Sequence, residues 1–125
     1  MSEIAPTFWA LIERAAVDHA DRVLFADDHG RSLTGAELRD VSERVAAGLA
    51  ALGIGADSVV SWQIPTVLES VVLMGALARL DAAQNPIIPI LREREVGFIT
   101  RQVKTQFFVT PEVWRGFDHG ALARA

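Results

Sequence analysis

The chain has one locally basic segment, made of Arg92, Arg94, Arg101 and Lys104. Guanidinium and ammonium groups are the side chains that bind phosphate, so this segment is the first candidate for chemistry. Near the carboxyl edge of a parallel sheet it could contact a phosphate of a ligand. The alternative is an ordinary charged helix face, because such faces are common and carry no function of their own.

Two neighbouring carboxylates, Glu93 and Glu95, could act as a pair in acid–base chemistry. Arg92 and Arg94 flank them, and acidic residues at the start of a helix interact favourably with its dipole. We therefore interpret the pair as the solvated first turn of a helix.

Other catalytic patterns are missing from the sequence. His19, His29 and His119 lack the spacing of a metal site and are predicted to be solvated. There is no phosphate-binding loop and no nucleophile elbow, and Gly53-Ile54-Gly55 precedes a predicted strand, whereas a dinucleotide fingerprint follows one. The chain also has no cysteine for thiolate chemistry. We predict no catalytic residue and no metal ligand.

The predicted helices and strands that would position these residues form a three-layer α/β fold with a mainly parallel sheet, flanking helices and a small β-hairpin. Strands are predicted at residues 59–63, 82–86 and 107–109, with a helix from Pro65 to about Leu80 between the first two. Parallel strands require such crossovers. This helix is apolar on most sides, which predicts a covering layer that the rest of the chain has few elements to supply.

The remaining segments follow from periodicity and capping signals. Thr34 and Glu37 form a capping box for a second helix, after a hairpin over residues 23–33. Two more helices are predicted, one after Thr7 and one after Arg92, and residues 112–125 are interpreted as an interrupted connection with a last helical turn. The inward positions of these two helices are predicted to be Phe8, Leu11, Ile12 and Ala15 in the first, and Val96, Ile99 and Val103 in the other.

Each predicted parallel strand ends in a polar residue followed closely by proline. Since the carboxyl ends of parallel strands share one edge, and ligands of open α/β sheets bind beyond it, this edge is the place to look for function. Proline as a simple strand stop is the alternative. The pairs are Gln63/Pro65, Asn85/Pro86 and Thr110/Pro111.

Composition limits the classes of partner. The 125 residues carry a formal charge of −4 with a pI near 5.3, which argues against nucleic acid or an anionic membrane as the main partner. The most apolar run, residues 71–78, is too short for a membrane span. Residues 1–6 lack the features of a signal peptide, and the absence of cysteine fits a cytoplasmic location. We predict a single domain over residues 1–125.

The ordered set of segments resembles the N-terminal portion of the adenylate-forming acyl-CoA synthetase superfamily, over about residues 8–118. The quoted segments are Leu33-Thr34-Gly35-Ala36-Glu37-Leu38, Leu49-Ala50-Ala51-Leu52-Gly53-Ile54 and the stretch from Val59 to Pro86. Asn85-Pro86-Ile87-Ile88-Pro89 with Arg92-Glu93-Arg94-Glu95 is most similar to the branch acting on fatty or alicyclic acids. Thr66 departs from the asparagine that relatives commonly have after the proline.

This resemblance implies an N-terminal fragment of an ATP-dependent, AMP-forming acyl-CoA ligase, whose full-length members use ATP, magnesium and CoA. Their phosphate-gripping loop, magnesium glutamate, ribose-binding aspartate and catalytic lysine lie downstream, so the resemblance implies no cofactor of its own for this chain and no ligase activity of the chain alone. By resemblance, Arg92 is the counterpart of an arginine that meets the phosphates of CoA.

Two alternatives from other classes stay open. The chain could be a stand-alone α/β binding module, which saturable binding of CoA or ATP would support. It could instead be an interaction protein that self-associates through an exposed apolar surface, because large apolar patches usually form interfaces.

Overall fold

The computed structural model describes residues 5–125. Residues 1–4, part of the segment predicted to lack a signal peptide, lie outside the described part. The elements in chain order are α1 Phe8–Asp18, β1 Val23–Ala26, β2 Ser32–Thr34, α2 Gly35–Ala51, β3 Val59–Trp62, α3 Leu68–Arg79, β4 Ala83–Pro86, α4 Glu93–Gln102, β5 Phe107–Val109, β6 Val113–Trp114, β7 Phe117–Asp118 and α5 His119–Arg124. No helix in this part of the chain combines the length and the apolar character needed to cross a membrane.

Strand β3 is the centre of a three-stranded parallel sheet in the order β4–β3–β5. Ser61 lies in register with Asn85 of β4 and with Phe108 of β5. Helices α1 to α3 lie on one face of the sheet and α4 and α5 on the other, and β1 and β2 form the predicted antiparallel hairpin. The three-layer α/β fold with a mainly parallel sheet is therefore confirmed.

The start of α2 forms as its capping residues predict. The hydroxyl of Thr34 accepts a hydrogen bond from the backbone N–H of Glu37 at 3.2 Å, and the Glu37 carboxylate accepts one from the N–H of Thr34 at 3.0 Å. Leu33 and Leu38, on either side of the cap, are buried in one cluster. Two otherwise unpaired amide donors are satisfied, which fixes where the helix begins.

Helix α3 is covered within the chain, contrary to the prediction that few elements remain to cover it. It lies between the sheet and the pair α1 and α2, and Leu77 and Ala76 are fully buried. A close approach occurs at Gly75, against Ser42 of α2 and Ile12 of α1. The helix begins at Leu68 rather than at Pro65, because residues before it stay extended and the Ser70 hydroxyl hydrogen-bonds to the Val67 backbone.

The buried face of α1 differs from the predicted one. Ile12 is buried as expected, but Phe8 and Leu11 are 43% and 50% exposed. The reason is the contact with the start of α2: a Cβ at Gly35 would lie 2.5 Å from the carbonyl oxygens of Ala15 and His19. This close approach turns α1 so that its contact line runs through Ile12 and Ala16.

The face of α4 is predicted correctly at two of three positions. Val96 is buried and Ile99 packs against the same cluster, whereas Val103 follows the last helical residue and is 36% exposed. After β5 the chain forms a hairpin that was not predicted, with Arg115 and Gly116 between β6 and β7. Both have positive φ, as two-residue hairpin loops require. The predicted last helical turn is α5.

Candidate functional site

The carboxyl ends of β3 and β5 meet through backbone and side-chain hydrogen bonds. The N–H of Gln63 donates to the carbonyl oxygen of Val109, and the hydroxyl of Thr110 donates to the carbonyl oxygen of Gln63 at 3.1 Å. Pro111 has no N–H, so the Thr110 hydroxyl supplies the donor at this strand end. Two of the three predicted strand-end residues are thus in direct contact.

The third strand-end residue, Asn85, joins a different polar row. Its amide donates to the hydroxyl of Ser61 at 2.9 Å, and Ser61 shares a hydrogen bond with the hydroxyl of Thr105. Ser61 is fully buried, and this row joins β4, β3 and the turn that precedes β5. Asn85 therefore ties the strands together and does not reach Gln63.

Gln63 is fully buried, and its amide is the centre of the site. Its Nε2 donates to the carbonyl oxygens of Ile88 at 3.0 Å and Leu91 at 2.9 Å, both in the loop between β4 and α4. These two bonds use both Nε2 hydrogens and fix the orientation of the amide. The remaining oxygen, Oε1, lies 3.1 Å from Nδ1 of His119.

His119 is also fully buried, so the prediction that all three histidines are solvated is wrong at this position. Its ring meets Phe117 edge-on with centroids 4.8 Å apart, and Trp114 lies 6.3 Å away. Burial and the nearby Arg92 guanidinium lower the pKa of His119 from its ordinary value of 6.5, against the opposing carboxylate of Asp118. His19 and His29 are exposed, as predicted.

Arg92, the predicted phosphate contact, lies at the same edge. Its Nη1 donates to the carbonyl oxygens of Pro89 at 2.9 Å and Leu91 at 3.3 Å, and its guanidinium sits 3.8 Å from the centroid of the Phe117 ring. Its contact with CoA stays a prediction. Of the basic segment, Arg101 lies in the last turn of α4 and Lys104 lies just after the helix, so both are about 13 Å or more from Arg92 at 1.5 Å per residue.

The acidic pair after Arg92 has the structural role that the sequence predicted. Glu95 accepts a hydrogen bond from the backbone N–H of Arg92 at 3.3 Å, and both Glu93 and Glu95 are exposed in the first turn of α4. Within residues 5–125 no group of three or more histidine, aspartate or glutamate side chains is placed to hold a metal ion.

A separate apolar depression, the α2–α3 groove, lies on the opposite face of the sheet. Its volume is about 560 Å³, and the ion pair between Arg31 and Glu69 stands at its rim. The hydrogen bonds of this pair lower the pKa of Glu69. Its apolar lining is Leu33, Val41, Val45, Leu49, Ile64, Leu68, Val72, Leu73 and Val109.

Comparison with known proteins gives a consistent set of matches. The family model described as AMP-binding enzyme matches residues 12–124. Triostin synthetase I of Streptomyces triostinicus is 35% identical over 106 residues, covering 85% of this chain and 20% of that protein. The medium-chain fatty-acid–CoA ligase of Escherichia coli K12 is 25% identical over 108 residues, covering 86% of this chain and 19% of that protein.

The fold matches solved structures as well. The N-terminal subdomain of NpsA from Klebsiella oxytoca has a TM-score of 0.82 at 19% identity, over 94% of this chain and 32% of that chain. The chain spans about a fifth of the length of the curated relatives that it matches.

Proposed function

This chain belongs to the AMP-binding enzyme family, and we propose that it is the N-terminal part of an ATP-dependent, AMP-forming acyl-CoA ligase. The family match across residues 12–124 carries the proposal, and the fold of an adenylate-forming N-terminal subdomain supports it. In the proposed reaction a carboxylate and ATP give an acyl-adenylate and pyrophosphate. The thiol of CoA then takes the acyl group and releases AMP.

The choice of CoA as acceptor and of a fatty or alicyclic acid as substrate belongs to the same proposal. A fatty-acid–CoA ligase is among the relatives, and the segment from Asn85 to Glu95 resembles that branch. We place the enzyme in the cytoplasm, on the grounds that the chain has no cysteine and a net negative charge.

The residues of this chain fit only one part of that chemistry. The described residues offer no acidic cluster for magnesium, so we assign no metal ligand and no catalytic residue here. Arg92 fits a phosphate of CoA by charge and by position, because it lies at the carboxyl edge with only Nη1 engaged in its hydrogen bonds. Its Nε and Nη2 donors would bind the phosphate.

We propose further that the chain alone does not catalyse the ligase reaction. A pyrophosphate-release or acyl-hydroxamate assay on the purified 125 residues should give no signal above a blank, with a complete family ligase as the positive control. Turnover by the chain alone would contradict this statement. The parentage is tested by the DNA downstream of codon 125: a continuing frame that encodes a Ser/Thr/Gly-rich loop supports the proposal, and a frame without one contradicts it.

A second proposal is self-association of two copies through the α2–α3 groove. The groove is almost wholly apolar and open to solvent, and exposed apolar surfaces of this kind commonly form interfaces. Light scattering at micromolar concentration should give twice the mass of one chain. A monomer would contradict the proposal, as would a dimer that Val41→Glu in the groove leaves intact.

A further inference from the structure

The loop over residues 87–91 is held mainly by polar contacts. Ile87 is buried, but Ile88 and Ile90 are 63% and 68% exposed, so little apolar packing fixes the tip of the loop. Its carbonyl groups point inward, where Gln63 binds those of Ile88 and Leu91 and Arg92 binds those of Pro89 and Leu91. The position of the loop, and of Arg92 behind it, therefore depends on the orientation of the Gln63 amide.

The orientation of the Gln63 amide in turn determines which ring nitrogen of neutral His119 carries the proton. Because Nε2 of Gln63 is the donor to two carbonyls, its Oε1 faces His119 as an acceptor, and Nδ1 of His119 must carry the proton. The other ring nitrogen, Nε2, is then an unprotonated acceptor. This nitrogen is buried and has no hydrogen-bond partner among residues 5–125.

A second proton on His119 would enter this site at Nε2, with no acceptor to receive it. A buried donor without a partner is costly, and the guanidinium of Arg92, stacked on Phe117 beside the imidazole, adds like charge. Asp118 opposes this effect. The other charged groups around α5 are Glu112 and Arg124, which pair with each other at 3.5 Å, and Arg115, which stacks on Trp114 at 4.6 Å. Helix α4, which packs against α5 through Val96 and Leu122, adds Glu93, Arg94, Glu95 and Arg101.

We propose that Gln63 and His119 form an acid-sensitive latch that positions the loop over residues 87–91 and Arg92. Neutral His119 holds the latch closed, and protonation at Nε2 separates His119 from Gln63 and releases the loop. Gln63 and His119 are positioning residues, since both are fully buried and act through the loop and Arg92. The proposal rests on the proposed function only where it concerns the ligand of Arg92.

Amide hydrogen exchange followed by NMR tests the latch on the 125-residue chain. The probes are the amide of Leu91, which bonds to the carbonyl of Ile88, and, as a core reference, the amide of Ile87, which bonds to the carbonyl of Trp62. Protection factors at pH 7.5 and pH 5 remove the intrinsic pH dependence of exchange. The Leu91 protection should fall several-fold on acidification and stay below that of Ile87 at both values.

Two variants separate the latch from general acid effects. His119→Gln keeps a donor toward Gln63 but cannot titrate, so its Leu91 protection should not change with pH, and His19→Gln removes an exposed histidine and should behave as wild type. A pH-independent Leu91 protection in wild type, or the same fall in His119→Gln, would overturn the proposal. So would equal protection of Leu91 and Ile87, which would mean that the loop opens only by global unfolding.

If His119→Gln does not fold, ¹⁵N shifts of the wild-type imidazole provide the test. They should show the Nδ1-protonated neutral ring and a titration midpoint shared with the Leu91 amide, and any other tautomer or unlinked midpoints would overturn the latch. A CoA titration at pH 7.5 distinguishes the two proposals: pH-dependent opening without any CoA effect at Arg92 leaves the latch intact and contradicts the assigned ligand.

Discussion

The hydroxyl of Ser42 on α2 faces Gly75 on α3, where an added Cβ would lie 2.5 Å from Oγ. Ser42 is fully buried, and its Oγ has no hydrogen-bond partner in the described part of the chain. Helices α2 and α3 therefore meet at a point where one residue has no side chain and the other buries this polar atom. This contact sets the spacing of the α1–α3 layer.

Gly75→Ala should destabilise the chain by about 1–3 kcal/mol, because the new methyl group must displace Ser42 and Ile12 in a packed interface. Urea unfolding followed by fluorescence measures the change. The matched control is Gly48→Ala on the exposed side of α2, where nothing lies within 4 Å of an added Cβ. That variant should be more stable by about 0.5–1 kcal/mol through helix propensity, and a loss of stability there would contradict the argument.

Ser42→Ala should leave the free energy of unfolding unchanged or raise it by up to about 1 kcal/mol, because it removes a buried hydroxyl that makes no hydrogen bond. In the Ser42→Ala background Gly75→Ala should cost less than in wild type. A double-mutant cycle in urea measures this coupling. Additive effects would show that the two side chains do not compete for the same space.

Thr34→Ala should cost about 1 kcal/mol, since it removes the side-chain half of the capping box of α2. Thermal and urea unfolding measure the loss. Thr66→Ala, at an exposed position before α3, is the control and should change stability by less than about 0.5 kcal/mol. Equal effects of the two substitutions would argue against a capping contribution.

The burial of neutral His119 predicts a pH dependence of stability. Its pKa is lowered in the folded chain, so below pH 6.5 the unfolded chain binds more protons than the folded chain. The free energy of unfolding therefore decreases as the pH is lowered. Wild type should lose more stability than His119→Gln between pH 7.5 and pH 5 in urea titrations. His29→Gln, at an exposed turn position, should follow wild type, and an identical loss in all three proteins would refute the assignment.

Arg92→Ala should abolish the response of the 87–91 loop to CoA. In wild type, CoA should shift the amide resonances of Leu91 and Arg92 in NMR titrations, because a phosphate at the guanidinium changes the bonds of Arg92 to the loop carbonyls. Arg94→Ala, at an exposed neighbour on α4, is the control and should retain the shifts. Equal shifts in Arg92→Ala would show that Arg92 does not make the proposed contact with CoA.

Local signals in the sequence were sufficient for most of the fold. The capping box at Thr34 and the apolar strand after Ser58 depend on neighbouring residues, and the strands and the second helix were predicted to within a residue or two. The face of α1 was predicted wrongly, because Gly35 of the next helix sets it. The β6–β7 hairpin was missed because arginine, rather than asparagine or aspartate, precedes Gly116 in its loop.

The site was predicted less completely than the fold. The shared strand edge and the placement of Arg92 near it followed from the positions of the prolines, but His119 did not, because its only polar partner is 56 positions away in the sequence. A glutamine at the end of a buried strand was the available signal. It indicated a buried amide that needed partners, without indicating which residues they would be.

Each layer of the fold contains one tryptophan, and this gives the chain three separate optical reporters. Trp9 lies on α1 under the guanidinium of Arg79, Trp62 lies in the buried core of the sheet, and Trp114 lies beside His119 on the α5 side. Variants that keep one tryptophan at a time would therefore show by fluorescence whether the three layers unfold together. Trp114 would also report directly on the ionisation of the neighbouring imidazole.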